Sequence, residues 1–285
     1  MTAGVYRPFA FLALTLAWTW AFWWVLVLTG LQPWSGTGRW LLYLGGVGPL
    51  LAGLWFQHRH SAGRGLADLW QRLVQPGRAP LWLWAATLLL VPLLSLLAHA
   101  ILMLGGGPAP SFTLPDGAWP AAMGFAALIF LFGPLPEEIG WRGYGLDALL
   151  AHLPPLAASG VLGAAWGAWH LPLFAADGYY EPFGGSPILS LFLWSILVKT
   201  VIMTWGYLAS DRSLLLMVLF HFMVNFTGEV IPMPPASEAV FQGLLTAVGV
   251  LAAYRLWRIG QEKRRCGCRS SDTGSLRSPL PPASA

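Results

Sequence analysis

Apolar residues run in eight long stretches, at about 8–30, 40–57, 80–104, 119–136, 155–176, 187–209, 213–230 and 238–258. A helix needs about 20 mostly apolar residues to cross the hydrocarbon core. The pattern therefore predicts an all-α, polytopic membrane protein of about eight transmembrane helices. Turn-rich pieces lie between the stretches, at Gln32–Gly38, Gly105–Asp116 and the acidic Asp177–Gly185. Residues 1–260 form one predicted helical bundle, with its chemistry concentrated at about 119–230. Residues 261–285 are rich in Ser, Pro and Arg and read as a disordered cytosolic tail.

Composition agrees with this. The 285 residues are 56% hydrophobic and only 10% charged, with a mean hydropathy of +0.61. A soluble domain carries about 25% charged residues, so this is no ordinary soluble protein, and disorder, a secreted disulfide scaffold and a nucleic-acid-binding module are disfavoured. The formal charge of +4 does not imply a nucleic-acid partner, because the basic residues lie in loops and the tail. With the N-terminus in the cytosol, 14 of the 16 Lys and Arg residues fall on the inner side. Arg39 alone falls outside, and Lys199 lies within a span. This asymmetry predicts an even number of spans and two cytosolic termini. The first stretch is too long and too rich in Trp for a signal peptide and is expected to be retained. Cys266 and Cys268 stand beside Lys263–Arg265 and read as an inert reduced pair.

Few polar residues interrupt the spans, and they cluster. The fourth stretch runs into Pro136-Glu137-Glu138-Ile139-Gly140-Trp141-Arg142. The fifth carries Trp166-Gly167-Ala168-Trp169-His170, and the seventh His221-Phe222-Met223-Val224-Asn225. Ionisable groups at membrane depth are costly and point to function. Glu138 and Arg142 share a helical face at i,i+4 and can pair, while Glu137 points about 100° away. His221 and Asn225 share a face in the same way. Glu138 stands 16 residues before Pro154 and His170 stands 16 after it. In an antiparallel pair turning there, both lie about 24 Å from the turn. Pro134 and Pro136 instead allow a break that sets the glutamates at a fresh helix N-terminus.

Two carboxylates and two histidines offer two chemistries. A Glu near a His can act as general base on a water that attacks an amide carbonyl, with His221 and Asn225 as oxyanion donors. Alternatively Glu137, His170 and His221 can hold Zn²⁺ with an open position for water. Other intramembrane protease signatures are missing: there is no His-Glu-x-x-His and no Gly-x-Ser-Gly. Gly143-Tyr144-Gly145-Leu146-Asp147 is one residue too long for a Gly-x-Gly-Asp aspartyl motif.

Taken in order, Glu-Glu-x-x-x-Arg, aromatic-x-x-x-His and His-x-x-x-Asn resemble the CPBP group. It comprises the CAAX prenyl-protein endopeptidases and their bacteriocin-processing (Abi) relatives. The resemblance covers roughly residues 119–230, with Trp166 at a position often filled by Phe. It implies an intramembrane endopeptidase, commonly described as a metalloprotease, although a metal-free glutamate mechanism has also been argued. Glu137 is then the water-activating residue, Glu138 its partner and Arg142 the orienting arginine. His170 acts with the glutamate, and His221 and Asn225 stabilise the oxyanion. Zinc is the implied cofactor in the metal-dependent form. The implied partners are a membrane-associated peptide or protein substrate and the lipid bilayer, with substrate entering from the bilayer or its cytosolic face.

Rival readings are a catalytically idle immunity or scaffold protein and a proton-coupled transporter. The transporter would show internal repeats, and none stands out. Lys199 reads as a packing or pairing residue, Glu229 as solvated, and the Trp-rich segments as interface anchors. The scarcity of Lys among the basic residues hints at a bacterial inner-membrane protein from a GC-rich genome.

Overall fold

The computed structural model describes residues 6–60, 64–75, 79–113 and 119–272, and among these every regular element is helical. In chain order they are α1 (Pro8–Thr29), α2 (Gly36–Gly46), α3 (Gly48–His60), α4 (Arg64–Val74), α5 (Leu81–Leu104) and α6 (Trp119–Phe132). There follow α7 (Pro134–Gly140), α8 (Asp147–Leu150), α9 (Pro155–Trp169), α10 (Leu189–Ala209), α11 (Leu214–Val230) and α12 (Pro235–Asp272). Six stretches are long and apolar enough to cross a bilayer: Pro8–Thr29, Gly36–His60, Leu81–Leu104, Ala121–Leu150, Leu189–Ala209 and Pro235–Glu262. The chain is a multi-pass integral membrane protein.

The remaining two expected spans are helical but short, with 15 residues in α9 and 17 in α11. Proline sets both limits. Pro172 cannot donate to a continuing ladder, so α9 ends at Trp169 and the chain enters a 3₁₀ turn over Leu171–Ala175. Pro232 and Pro234 follow the end of α11. Three other expectations change. The second stretch breaks at Val47, between α2 and α3. A helix absent from the sequence reading, α4, forms in the basic loop after α3. The last helix continues to Asp272, well into the expected tail, whose residues 273–285 lie outside the described residues.

The fourth span is segmented where the chemistry lies. Gly133 separates α6 from α7, which begins Pro134-Leu135-Pro136. Proline suits the first helical turn, where N–H groups are unpaired in any case. This is the break that Pro134 and Pro136 suggested, with Glu137 in the first turn of the new helix. After Gly140 the backbone widens into a π turn over Trp141–Leu146 before α8. Such turns insert into α-helices chiefly at functional sites.

Glycine lets α3 and α7 cross at backbone distance. A Cβ on Gly53 would stand 2.8 Å from the Gly140 Cα, and one on Gly140 would overlap the Pro49 carbonyl. Small residues at such crossings are how membrane helices gain packing without a hydrophobic driving force.

One end of the bundle is dense and the other loose. Residues 140–149 are all buried, as are Leu214, Leu216, Met217, Val218, Phe220 and His221. Residues 121–133 and 222–226 are half-buried or exposed. A polar lock closes the dense end around buried Asp147. Arg72 Nη1 donates to Asp147 Oδ2 at 3.1 Å and to the Tyr207 hydroxyl at 2.6 Å. Tyr207 donates to Asp147 Oδ1 at 2.9 Å, and Arg212 also pairs with this carboxylate. The second Arg72 amino group, Nη2, reaches the Gly143 carbonyl within the π turn at 3.1 Å. Arg212 is held toward Asp147 by a tight turn in which Asp211 and Arg212 adopt φ of 55° and 67°.

Candidate active site

Three helices bring the motif residues together, and Trp166 of α9 stands at their centre. Its indole Nε1 donates to Glu137 Oε2 at 2.9 Å, and its carbonyl lies 2.8 Å from His170 Nδ1. The His221 ring meets the indole edge-on at 5.1 Å, and the Arg142 guanidinium lies 4.6 Å over it. A charge held against the face of a Trp is favoured by the ring quadrupole. Trp166 therefore touches four of the expected residues. The sequence reading gave it only the place of a motif aromatic.

The two glutamates diverge, as their 100° offset requires. Glu138 turns inward. Its Oε1 accepts from Arg142 Nη1 at 2.8 Å and lies 2.8 Å from His221 Nδ1. Both Glu138 and Arg142 are 0% exposed, so the expected i,i+4 pair forms without water around it. The Arg142 Nη2 donates to Met203 Sδ on α10 at 3.3 Å. Glu137 faces the other way, and its hydrogen-bond partner in the cluster is Trp166.

Asn225 stands one turn beyond His221 on α11, half-buried beside Gly133, where a Cβ would lie 3.3 Å from Asn225 Nδ2. The helical break at Gly133 thus makes room for the amide. On the other side, half-buried His170 meets Phe192 of α10 edge-on at 5.2 Å. Farther out, Trp34 stacks on Tyr179 at 5.3 Å, and burial pushes the Tyr179 and Tyr180 phenols above their ordinary range. Both therefore remain neutral hydroxyls at the loose end.

The donor set can be tested against zinc, for which Glu137, His170 and His221 were the expected ligands. His221 Nδ1 is committed to Glu138, His170 Nδ1 to the Trp166 carbonyl and Glu137 Oε2 to the Trp166 indole. Among the described residues, no three His, Cys, Asp or Glu side chains converge to hold an ion. As placed, the three expected ligands do not converge on a common ion position, and the Nδ1 contacts of the two histidines orient their rings while leaving each Nε2 available. Lys199 lies half-buried on α10 and forms no ion pair among the described residues. The Asp147 lock escaped the sequence reading because its members come from four separate segments.

Residues 118–227 match the family described as Type II CAAX prenyl endopeptidase Rce1-like. CAAX prenyl protease 2 of Methanococcus maripaludis is 32% identical over 170 residues, covering 55% of this chain. The match spans 62% of that relative, less than two thirds of its length. Over its motif-bearing core the chain is similar to the Rce1-like CAAX endopeptidases, a protease family. Two comparisons thus agree with the resemblance carried by the Glu-Glu-x-x-x-Arg, aromatic-x-x-x-His and His-x-x-x-Asn motifs.

Proposed function

We propose that the protein is an intramembrane endopeptidase that hydrolyses a peptide bond with a water activated by Glu137 and His170. The observation that carries this reading is the double grip of Trp166, whose indole fixes Glu137 and whose carbonyl fixes His170. With Nδ1–H donating to that carbonyl, His170 presents Nε2 as an acceptor. A water between Glu137 and Nε2 is oriented by the imidazole and gives one proton to the Glu137 carboxylate. Its oxygen adds to the amide carbonyl, forming a tetrahedral intermediate. Glu137 then passes the proton to the leaving nitrogen as the C–N bond breaks, yielding a carboxylic acid and an amine without an acyl-enzyme.

Asn225 Nδ2 and His221 Nε2 are the oxyanion donors in this scheme. The contact of its Nδ1 with Glu138 orients His221 for this role. Arg142 holds Glu138 in place. The scheme uses no metal.

The same reading counts α9 and α11 as short spans, giving eight with both termini cytosolic, in a bacterial inner membrane. Its substrate is a membrane-associated peptide, and the name of the M. maripaludis relative suggests a lipidated C-terminal segment as the first candidate. Neither the idle-protein nor the transporter reading gains support from the family match. The test is mass-spectrometric detection of fragments from prenylated and unprenylated peptides incubated with purified protein. The expected result is cleavage by wild type and none by His170→Ala. Equal cleavage by both would remove His170 from the reaction.

A further inference from the structure

We propose that the cavity enclosed by α5, α10, α11 and α12 holds one acyl chain of an anionic phospholipid, with the headgroup phosphate on Arg255. The site is separate from Glu137 and His170, and lipid binding there does not depend on the hydrolase reading.

α11 and α12 each pack against both α5 and α10, and the four helices leave a space of about 320 Å³ between them. Pockets that hold small molecules begin at about 300 Å³. The lining is apolar except for Thr87, the Trp205 indole and Arg255. Water enters a cavity only where several polar groups hold it, so this one stays dry. Left empty, it would forfeit the dispersion contacts of its walls. The filler that a bilayer supplies beside it is a hydrocarbon chain.

The cavity has a floor and a mouth. Leu83, Met203, Met217 and Phe220 form a buried floor. At the mouth Leu251 is 68% exposed, and Arg255, one turn further along α12, is exposed as well. An entering chain therefore reaches Met203, whose Sδ accepts from Arg142. Seated there, it packs against the back of the Glu138 cluster.

The mouth lies at headgroup depth. Arg255 stands 20 residues after Pro235, the first residue of α12. That is about 30 Å of helix, the thickness of the hydrocarbon core. At the same level Trp82 stacks on Trp205 at 5.8 Å and Tyr254 on Trp257 at 6.1 Å. Such aromatic residues mark a membrane interface. Arg258 pairs with Glu262 at 3.6 Å, whereas Arg255 has no ion pair among the described residues. An unpaired guanidinium above a dry slot matches the two ends of one lipid, phosphate and chain. A chain gains little on leaving the equally apolar bilayer, so selectivity falls to the headgroup. An anionic headgroup is favoured over a zwitterionic one, whose own cation opposes Arg255.

Native mass spectrometry and thermal unfolding of the purified, delipidated full chain in detergent test this without requiring activity. The probes are dioleoyl phosphatidylglycerol, dioleoyl phosphatidylcholine and farnesylcysteine methyl ester. The expected result is one phosphatidylglycerol retained per chain with a raised melting temperature, and weaker retention of phosphatidylcholine. Arg255→Gln should weaken phosphatidylglycerol about fivefold, the loss of one cation near a charged surface. Ala86→Leu, at a half-buried lining position, should fill the cavity and abolish retention without lowering the melting temperature. If that variant does not fold, Arg255→Gln decides alone. Equal retention of the two phospholipids, unchanged phosphatidylglycerol binding by Arg255→Gln or by folded Ala86→Leu, or retention of the farnesyl ester in place of phospholipid overturns the proposal.

Discussion

His221 Nδ1 and Arg142 Nη1 meet the same oxygen, Glu138 Oε1, each at 2.8 Å. This shared oxygen separates two adjacent glutamates into different roles. Glu138 is consumed in holding α7, the π turn and α11 together. Glu137 stays out of that pairing, steadied by one indole N–H.

Removing Arg142 leaves Glu138 buried with its charge poorly paired. Breaking such a pair costs about 3–5 kcal/mol. Arg142→Ala is expected to lower the detergent-phase melting temperature far more than a surface Arg258→Ala. Arg142→Lys should recover only part, because an ammonium cannot both lie flat on Trp166 and reach Glu138 and Met203. Thermal unfolding followed by intrinsic fluorescence checks both.

Trp166→Phe keeps most of the ring and removes the N–H that fixes Glu137. A hydrogen bond to a charged group is worth about 1.5–3 kcal/mol, so turnover should fall about 10- to 100-fold. Steady-state kinetics with a cleavable peptide should place the loss in kcat rather than KM. A loss confined to KM would mean that the indole contacts substrate instead.

Chelators should not inhibit. Among the described residues no three His, Cys, Asp or Glu side chains converge to hold an ion. Prolonged dialysis against a strong chelator is expected to leave the rate unchanged, with no gain on adding zinc. Inhibition reversed specifically by zinc would require a rearranged site.

Gly140→Ala should destabilise the α3–α7 crossing. Its methyl group would meet the Pro49 carbonyl, and backbone gives way less readily than a side chain. Overpacking of this kind costs about 1–3 kcal/mol. Gly243→Ala, where a Cβ meets nothing within 4 Å, is the neutral control in the same melting assay.

Much of this site was legible in the sequence because a chain so poor in polar groups leaves few candidates. Glu137, Glu138, Arg142, His170, His221 and Asn225 stood out as polar positions inside apolar stretches, and all but Asn225 gather around Trp166 or Glu138. The i,i+4 rule found the Glu138–Arg142 pair, and Pro134 with Pro136 marked the break at Gly133. Hydropathy could not find the π turn, since Trp141–Leu146 contains nothing that distinguishes a wide turn from a regular one. Nor could it find the lock. Asp147 meets Arg72, Tyr207 and Arg212 across 75, 60 and 65 residues, and each looked like an ordinary membrane-edge polar group. Span lengths were overestimated at α9 because apolar residues continue past Trp169 into a turn that Pro172 imposes.

The central claim is that Glu137 activates the attacking water. Its direct test is Glu137→Gln, which preserves volume and a carbonyl acceptor for the Trp166 N–H but removes the base. Loss of a general base slows reactions about 10²- to 10⁴-fold. For a peptide that wild type cleaves, the variant should lose at least that much in kcat while keeping a wild-type melting temperature and elution volume. Cleavage at the wild-type rate by folded Glu137→Gln protein would contradict the account.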